Sequence, residues 1–153
     1  MTISQNFDFL QQEFPAVAES ASYAEMHVNT DPRASCFHAR HALEYLVKRI
    51  FKIDRELSAP NVQQISHYLL DEGFKSVVPQ AVWMKMDYIR NVGNTAVHGK
   101  KTPSNELALE LVEELFHLTY WVGRTYLRKG AEELKGRQYD GSHIPQGGLS
   151  ATP

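Results

Sequence analysis

Asp31-Pro32-Arg33-Ala34-Ser35-Cys36-Phe37-His38-Ala39-Arg40-His41-Ala42-Leu43-Glu44-Tyr45-Leu46-Val47-Lys48-Arg49-Ile50-Phe51 decides the fold class. Cys36, Ala39, Leu43, Leu46, Val47 and Ile50 recur at steps of three and four, the period of one buried helix face. Aspartate followed by proline opens the run. Asp is a good N-cap, and proline suits the first helical turn, where its missing N–H leaves no bond unmade. The same period returns in Val82, Met86, Ile89, Gly93 and Ala96, and again in Leu107, Leu111, Leu115, Leu118 and Val122. Nothing alternates as a strand would, and Ser76-Val77-Val78 is too short to count. The class is therefore all-α, an antiparallel bundle of about five helices. Pro15, Pro32, Pro60, Pro79 and Pro103 each precede a helical stretch, and Asp31 and Thr102 stand before two of them as cap residues. The helices are expected near 15–28, 32–53, 61–72, 79–97 and 103–128, with a short turn near 6–13.

Composition narrows the function classes. The 153 residues are 42% hydrophobic and 22% charged, enough for one cored domain and too few for a helicase motor or a two-domain dinucleotide enzyme. Sixteen basic against 18 acidic residues give a net charge of -2, so any nucleic-acid contact must come from a local patch. The single Cys36 excludes an intramolecular disulfide and a multi-cysteine zinc site. His38, His41 and Glu44 share a helical spacing, but no second Glu-x-x-His supplies the facing ligands, so no metal is expected. Phosphate-loop, dinucleotide and hydrolase-elbow motifs are absent, and no cofactor is implied. The start carries no basic leader, and the apolar run Leu115 to Gly123 is far short of the roughly 20 residues a spanning helix needs. A cytoplasmic protein without membrane contact is expected.

From Gly130 five of the nine glycines appear and the hydrophobic period ends. This divides the chain into a helical domain over 1–129 and a flexible linker or tail over 130–153, leading to further domains.

The stretch Ile89-Arg90-Asn91-Val92-Gly93-Asn94-Thr95-Ala96-Val97-His98-Gly99-Lys100-Lys101 carries the candidate chemistry. On a continuous helix Arg90, Asn94 and His98 fall within an arc of about 80° along roughly 12 Å of axis. Arg suits a phosphate and His moves protons near neutral pH. Four bases against Asp87 give residues 85–101 a net charge of +3. The candidate nucleic-acid-binding residues are thus Arg90, Asn94, His98, Lys100 and Lys101. An alternative is structural: Arg90 pairs with a neighbouring acid, Gly93 permits close packing, and His98 is a helix-ending residue favoured by the macrodipole. Arg40 borders the apolar stripe, with Glu44 four residues on. Either the two form a structural pair, or they face the Arg90–His98 region in support, Glu44 positioning His98 or Arg90. Phe116, Leu118, Tyr120, Trp121, Val122, Tyr126 and Leu127 surround the last helix on nearly every side, so Tyr120 and Trp121 are candidates for a partner interface, a homodimer included.

Several of these segments together resemble a bacterial domain of unknown function. They are Asn6-Phe7-Asp8-Phe9-Leu10, Glu13-Phe14-Pro15, Asp31-Pro32-Arg33-Ala34, Ala39-Arg40-His41-Ala42-Leu43-Glu44, Gly93-Asn94-Thr95-Ala96-Val97-His98 and Leu115-Phe116-His117-Leu118-Thr119-Tyr120-Trp121. The domain resembled stands at the N terminus of type I restriction-endonuclease R subunits and related DEAD/DEAH-box helicase proteins, and is counted among HEPN-like helical domains. The resemblance spans about residues 4–128. It implies a helical accessory domain that contacts nucleic acid, other restriction-system subunits or downstream domains, in phage defence. Active HEPN domains resemble one another in an Arg-x4–6-His motif and are metal-independent ribonucleases, while others are adaptors. Here Arg90, Asn91 and His98 match its ends, with seven residues between Arg90 and His98. The resemblance would give His98 proton transfer, Arg90 the phosphate and Asn91 a polar role beside it. Three functions are thus in play: an accessory nucleic-acid contact domain, a metal-independent endoribonuclease, and a structural dimerisation module.

Overall fold

A computed structural model describes residues 2–146. It has six helices: α1 (Pro15–Met26), α2 (Pro32–Ile53), α3 (Ile65–Leu69), α4 (Glu72–Val77), α5 (Gln80–His98) and α6 (Asn105–Tyr126). No strand occurs among the described residues. The all-α bundle read from the sequence is the architecture found. Short 3-10 turns at Asp8–Leu10, Glu132–Leu134 and Gly141–His143 flank it.

α2 is the central helix and packs against α1, α5 and α6. Its stripe of Cys36, Ala39, Leu43, Leu46, Val47 and Ile50 is buried, as periodicity requires. Asp31 caps it, its carboxylate accepting from the Ala34 N–H at 3.2 Å, with Pro32 in the first turn. α5 meets α2 at Gly93, where a Cβ would lie 3.2 Å from the Arg40 Cβ and 3.5 Å from the Cys36 carbonyl oxygen. Glycine is what lets the two backbones approach there.

Three boundaries differ from expectation. Of the helix expected over 61–72 only α3 forms, and a further, unexpected helix, α4, starts at its end, where the Asp71 carboxylate accepts from the Phe74 N–H at 3.0 Å. Pro60 lies in a loop outside any helix, pinned nearby by buried Leu57. α6 begins at Asn105, capped by Ser104 accepting from the Leu107 N–H at 3.0 Å, so neither Thr102 nor Pro103 opens it.

The larger correction concerns the tail. Residues 131–146 lie on the bundle and do not run free. Leu134 and Ile144 are buried, and the Leu134 side chain fills the space above Gly123, where a Cβ would meet it at 2.6 Å. Arg124 Nη1 donates to the Ala131 carbonyl at 2.8 Å, and Asn6 exchanges two hydrogen bonds with the Asp140 backbone at 2.8 and 2.9 Å. The contacts come from isolated side chains spaced by glycines, which is why no hydrophobic period announced them. The remainder of the expected tail, 147–153, lies outside the described residues.

Candidate nucleic-acid interface

α5 runs unbroken through His98, so Arg90, Asn94 and His98 do succeed one another at steps of four on one helix. Their environments differ. Arg90 is half-buried and its Nη2 holds the Asp87 carboxylate at 3.0 Å within its own helix. Asn91 Nδ2 donates to the other oxygen of Asp87 at 3.2 Å. Asn94 is exposed, and its Oδ1 accepts from Arg40 Nη1 at 2.7 Å across the α2–α5 contact. His98 is exposed at the last position of the helix.

Arg40 therefore reaches α5, as its place at the edge of the stripe suggested. It meets Asn94, however, and neither Arg90 nor His98. Its guanidinium also lies over the Phe37 ring, 5.7 Å from the centroid. The Nε–H groups of Arg40 and Arg90 are covered and have no acceptor among the described residues, a desolvation cost carried at this helix contact. Glu44 is half-buried and makes no hydrogen bond or ion pair with His98 or Arg90, so the positioning role expected of it has no geometric basis.

A residue the sequence reading passed over organises the turn after α5. Arg33 Nη1 donates to the Gly99 carbonyl at 2.9 Å and the Val97 carbonyl at 3.4 Å. A cation here both caps the helix end and meets the negative end of its dipole. Lys100 and Lys101 follow, both exposed. They also border a largely apolar cavity of about 600 Å³ between the end of α5 and the start of α6, walled by Val92, Ala96, Pro103 and Leu107. Arg33 could have been suspected from its place in the first turn of α2, where a cation opposes the helix's own dipole and so needs another partner.

Tyr120 and Trp121 are half-buried on α6. The Tyr120 hydroxyl accepts from the Gly136 N–H at 3.0 Å, and the Trp121 ring meets Tyr126 edge-on at 5.9 Å. Phe7, Phe9 and Tyr139 pack their rings around Phe116 of the same helix. The apolar girth of α6 is met by α2, α5 and α1, with the segments before α1 and after α6 covering the rest of Phe116 and Gly123. Among the described residues, no group of three or more His, Cys, Asp or Glu side chains gathers as a metal site, and no helix is long and apolar enough to cross a membrane.

No curated protein and no solved structure matches the chain. A family model does, over residues 22–139, which takes in α2 to α6 together with the docked segment as far as Tyr139. With most of its length covered by that match, the chain belongs to the family described as a domain of unknown function, DUF4145.

Proposed function

We propose that this chain is a helical accessory domain whose turn after α5 contacts nucleic-acid phosphates, in the service of a type I restriction R subunit or a related helicase-nuclease. The observation that carries the contact is the clamp of Arg33 on the Val97 and Gly99 carbonyls, which fixes the turn while His98, Lys100 and Lys101 stay open to solvent. A fixed backbone with exposed cations binds phosphate without first ordering a loop. The restriction context and the HEPN-like kinship are drawn from the sequence resemblance over residues 4–128.

Binding is favoured over cleavage for a geometric reason. A general acid–base and a charge stabiliser must meet at one phosphate. Arg90 and His98 stand two turns apart, about 12 Å along the axis, and Arg90 is turned onto Asp87.

The test is fluorescence anisotropy with single-stranded RNA and DNA in EDTA, across a salt series. Lys100→Ala and Lys101→Ala should each weaken binding and lower the slope of log K against log salt by about 0.7, with the oligonucleotide intact. Cleavage in EDTA that disappears in His98→Ala would replace this reading with the ribonuclease. Unchanged affinity in both lysine variants would remove the turn from the interface.

A further inference from the structure

The solvent face of α2 has an unusual make-up for a surface helix. Phe37, His41, Tyr45, Lys48, Arg49 and Lys52 fall within an arc of about 120° on the helix, spread over roughly 22 Å of axis. Ordinary exposed faces mix acids with bases. On this face Lys48, Arg49 and Lys52 stand without an acid, a local charge of +3 in a chain of net -2, while Arg33 and Arg40 of the same helix are turned to α5. None of these three bases forms an ion pair among the described residues, although Lys48 Nζ lies over the Tyr68 ring, 5.6 Å from its centroid. Fields from unpaired bases on one face add, and they favour a polyanion.

The aromatic half of the face is ordered as a ladder. The Phe37 and His41 rings lie 5.2 Å apart and His41 and Tyr45 4.8 Å apart, one turn after another. Phe37 and Tyr45 remain 36% and 41% exposed. A contiguous row of partly exposed rings beside a line of cations offers flat apolar faces to a ligand.

The ladder runs into the basic end. There Tyr45, Lys48, Arg49 and Lys52 line one side of a cavity of about 510 Å³, whose other side is Gln12 to Val17 at the start of α1. The one acid in that wall, Glu13, is already engaged: its carboxylate accepts from the Arg128 and Lys129 backbone N–H groups, at 3.0 Å for the shorter Arg128 contact. Its charge is thus partly spent inside the fold.

We infer that this face of α2 is a track for a single-stranded polynucleotide, with bases stacking on Phe37, His41 and Tyr45 and phosphates held by Lys48, Arg49 and Lys52. The pairing of ring faces with a line of cations selects this polymer. A run of Asp and Glu offers no flat partners for the rings, and a duplex keeps its base faces stacked inside. The inference builds on the nucleic-acid reading above but names a second, separate surface, which is tested by separate variants.

The experiment is anisotropy with labelled single-stranded RNA and DNA 12-mers and the matching duplex, using the whole chain in EDTA. Variants are Tyr45→Ala, Tyr45→Trp, the triple Lys48→Gln/Arg49→Gln/Lys52→Gln, and Lys100→Ala, each checked for an unchanged helical circular-dichroism spectrum. These positions are exposed or half-buried, so folding should survive. Tyr45→Ala should weaken single-strand binding about tenfold, and Tyr45→Trp should restore it. The triple variant should lower the salt slope by about 2. Duplex should bind more weakly than either single strand, and the better of RNA and DNA identifies the sugar preferred. Single-strand binding that depends on Lys100 but ignores all the α2 variants overturns the track and leaves the α5 reading standing. Loss in the triple variant with Tyr45→Ala unchanged, or equal competition by polyglutamate, overturns the stacking track in favour of a generic anion surface. No binding of either strand at low salt overturns both readings.

Discussion

Glu25 shows how much one side chain can tie together. It is 5% exposed, yet its carboxylate is ringed by donors: the Ser4 hydroxyl at 2.5 Å, Asn6 Nδ2 at 2.7 Å and the Tyr139 hydroxyl at 2.7 Å. Burial, then the bond to Glu25, pushes the Tyr139 phenol well above its ordinary range, so it stays a donor at any ordinary pH. Glu25→Ala should leave three donors short of an acceptor and cost about 2–4 kcal/mol, read as a lower urea midpoint with unchanged slope. A second residue-scale effect concerns pH. Burial, and then the charges of His27 and His41, lower the His38 pKa below 6.5, with Asp31 opposing. The unfolded chain then takes up the proton more readily than the folded one. Stability should fall as pH drops below 6.5 and level off once pH passes the folded value. Urea midpoints across this range should show the loss, and it should shrink in His38→Phe, which keeps a ring beside Tyr23 and His27. The face of Arg90, Asn94 and His98 was legible in advance because helical period alone fixes it. Glu25 was not, because its partners lie 19 to 114 residues away along the chain.

At the scale of elements, the α2–α5 contact turns on Gly93. With Arg40 Cβ at 3.2 Å from the place of an added Cβ, a methyl crowds the contact slightly. Alanine also gains about 1 kcal/mol of helix propensity over glycine, so Gly93→Ala should come out near neutral. Gly93→Val adds two further carbons and should cost about 2–3 kcal/mol. It should also break the Arg40–Asn94 bond, seen as a change in the Asn94 side-chain amide NMR signals relative to Gly93→Ala. Both α2 and α5 could be placed from sequence because their apolar residues recur over about four turns. The third expected helix failed for want of length: α3 and α4 have 5 and 6 residues, too short for a period to be distinguished from chance. Only the cap at Asp71 separated them, and one aspartate reads equally well inside a helix as before one.

At the scale of the whole bundle, the segments before α1 and after α6 close it together. The N-terminal segment brings Ser4, Asn6, Phe7 and Phe9, and the segment after α6 brings Leu134, Tyr139 and Ile144, to the same side of the bundle around α6 and Glu25. Arg137 reinforces the pairing by donating to the Gln5 carbonyl and to Asp8, the latter at 2.9 Å. Composition read this segment as a linker because glycine and polar residues dominate it, whereas three well-spaced apolar side chains suffice to dock it. A chain cut after Lys129 should therefore lose much more than a linker would. It uncovers the Phe116 ring, opens the space above Gly123 and strips Glu25 of one donor. A loss of about 3–5 kcal/mol is expected, given about 25 cal/mol for each Å² of apolar surface re-exposed. The check is urea unfolding of residues 1–129 beside the full chain, with Leu134→Ala as a milder case that keeps the polar clasp. Limited trypsin digestion separates docking from mere stability: in the full chain Lys135 and Arg137 should resist cleavage, in Leu134→Ala they should be cut early, and α1 to α6 should stay intact in both. Equal midpoints for the short and full chains, with early cutting at Arg137 in the unsubstituted protein, would return the segment to the status of a linker.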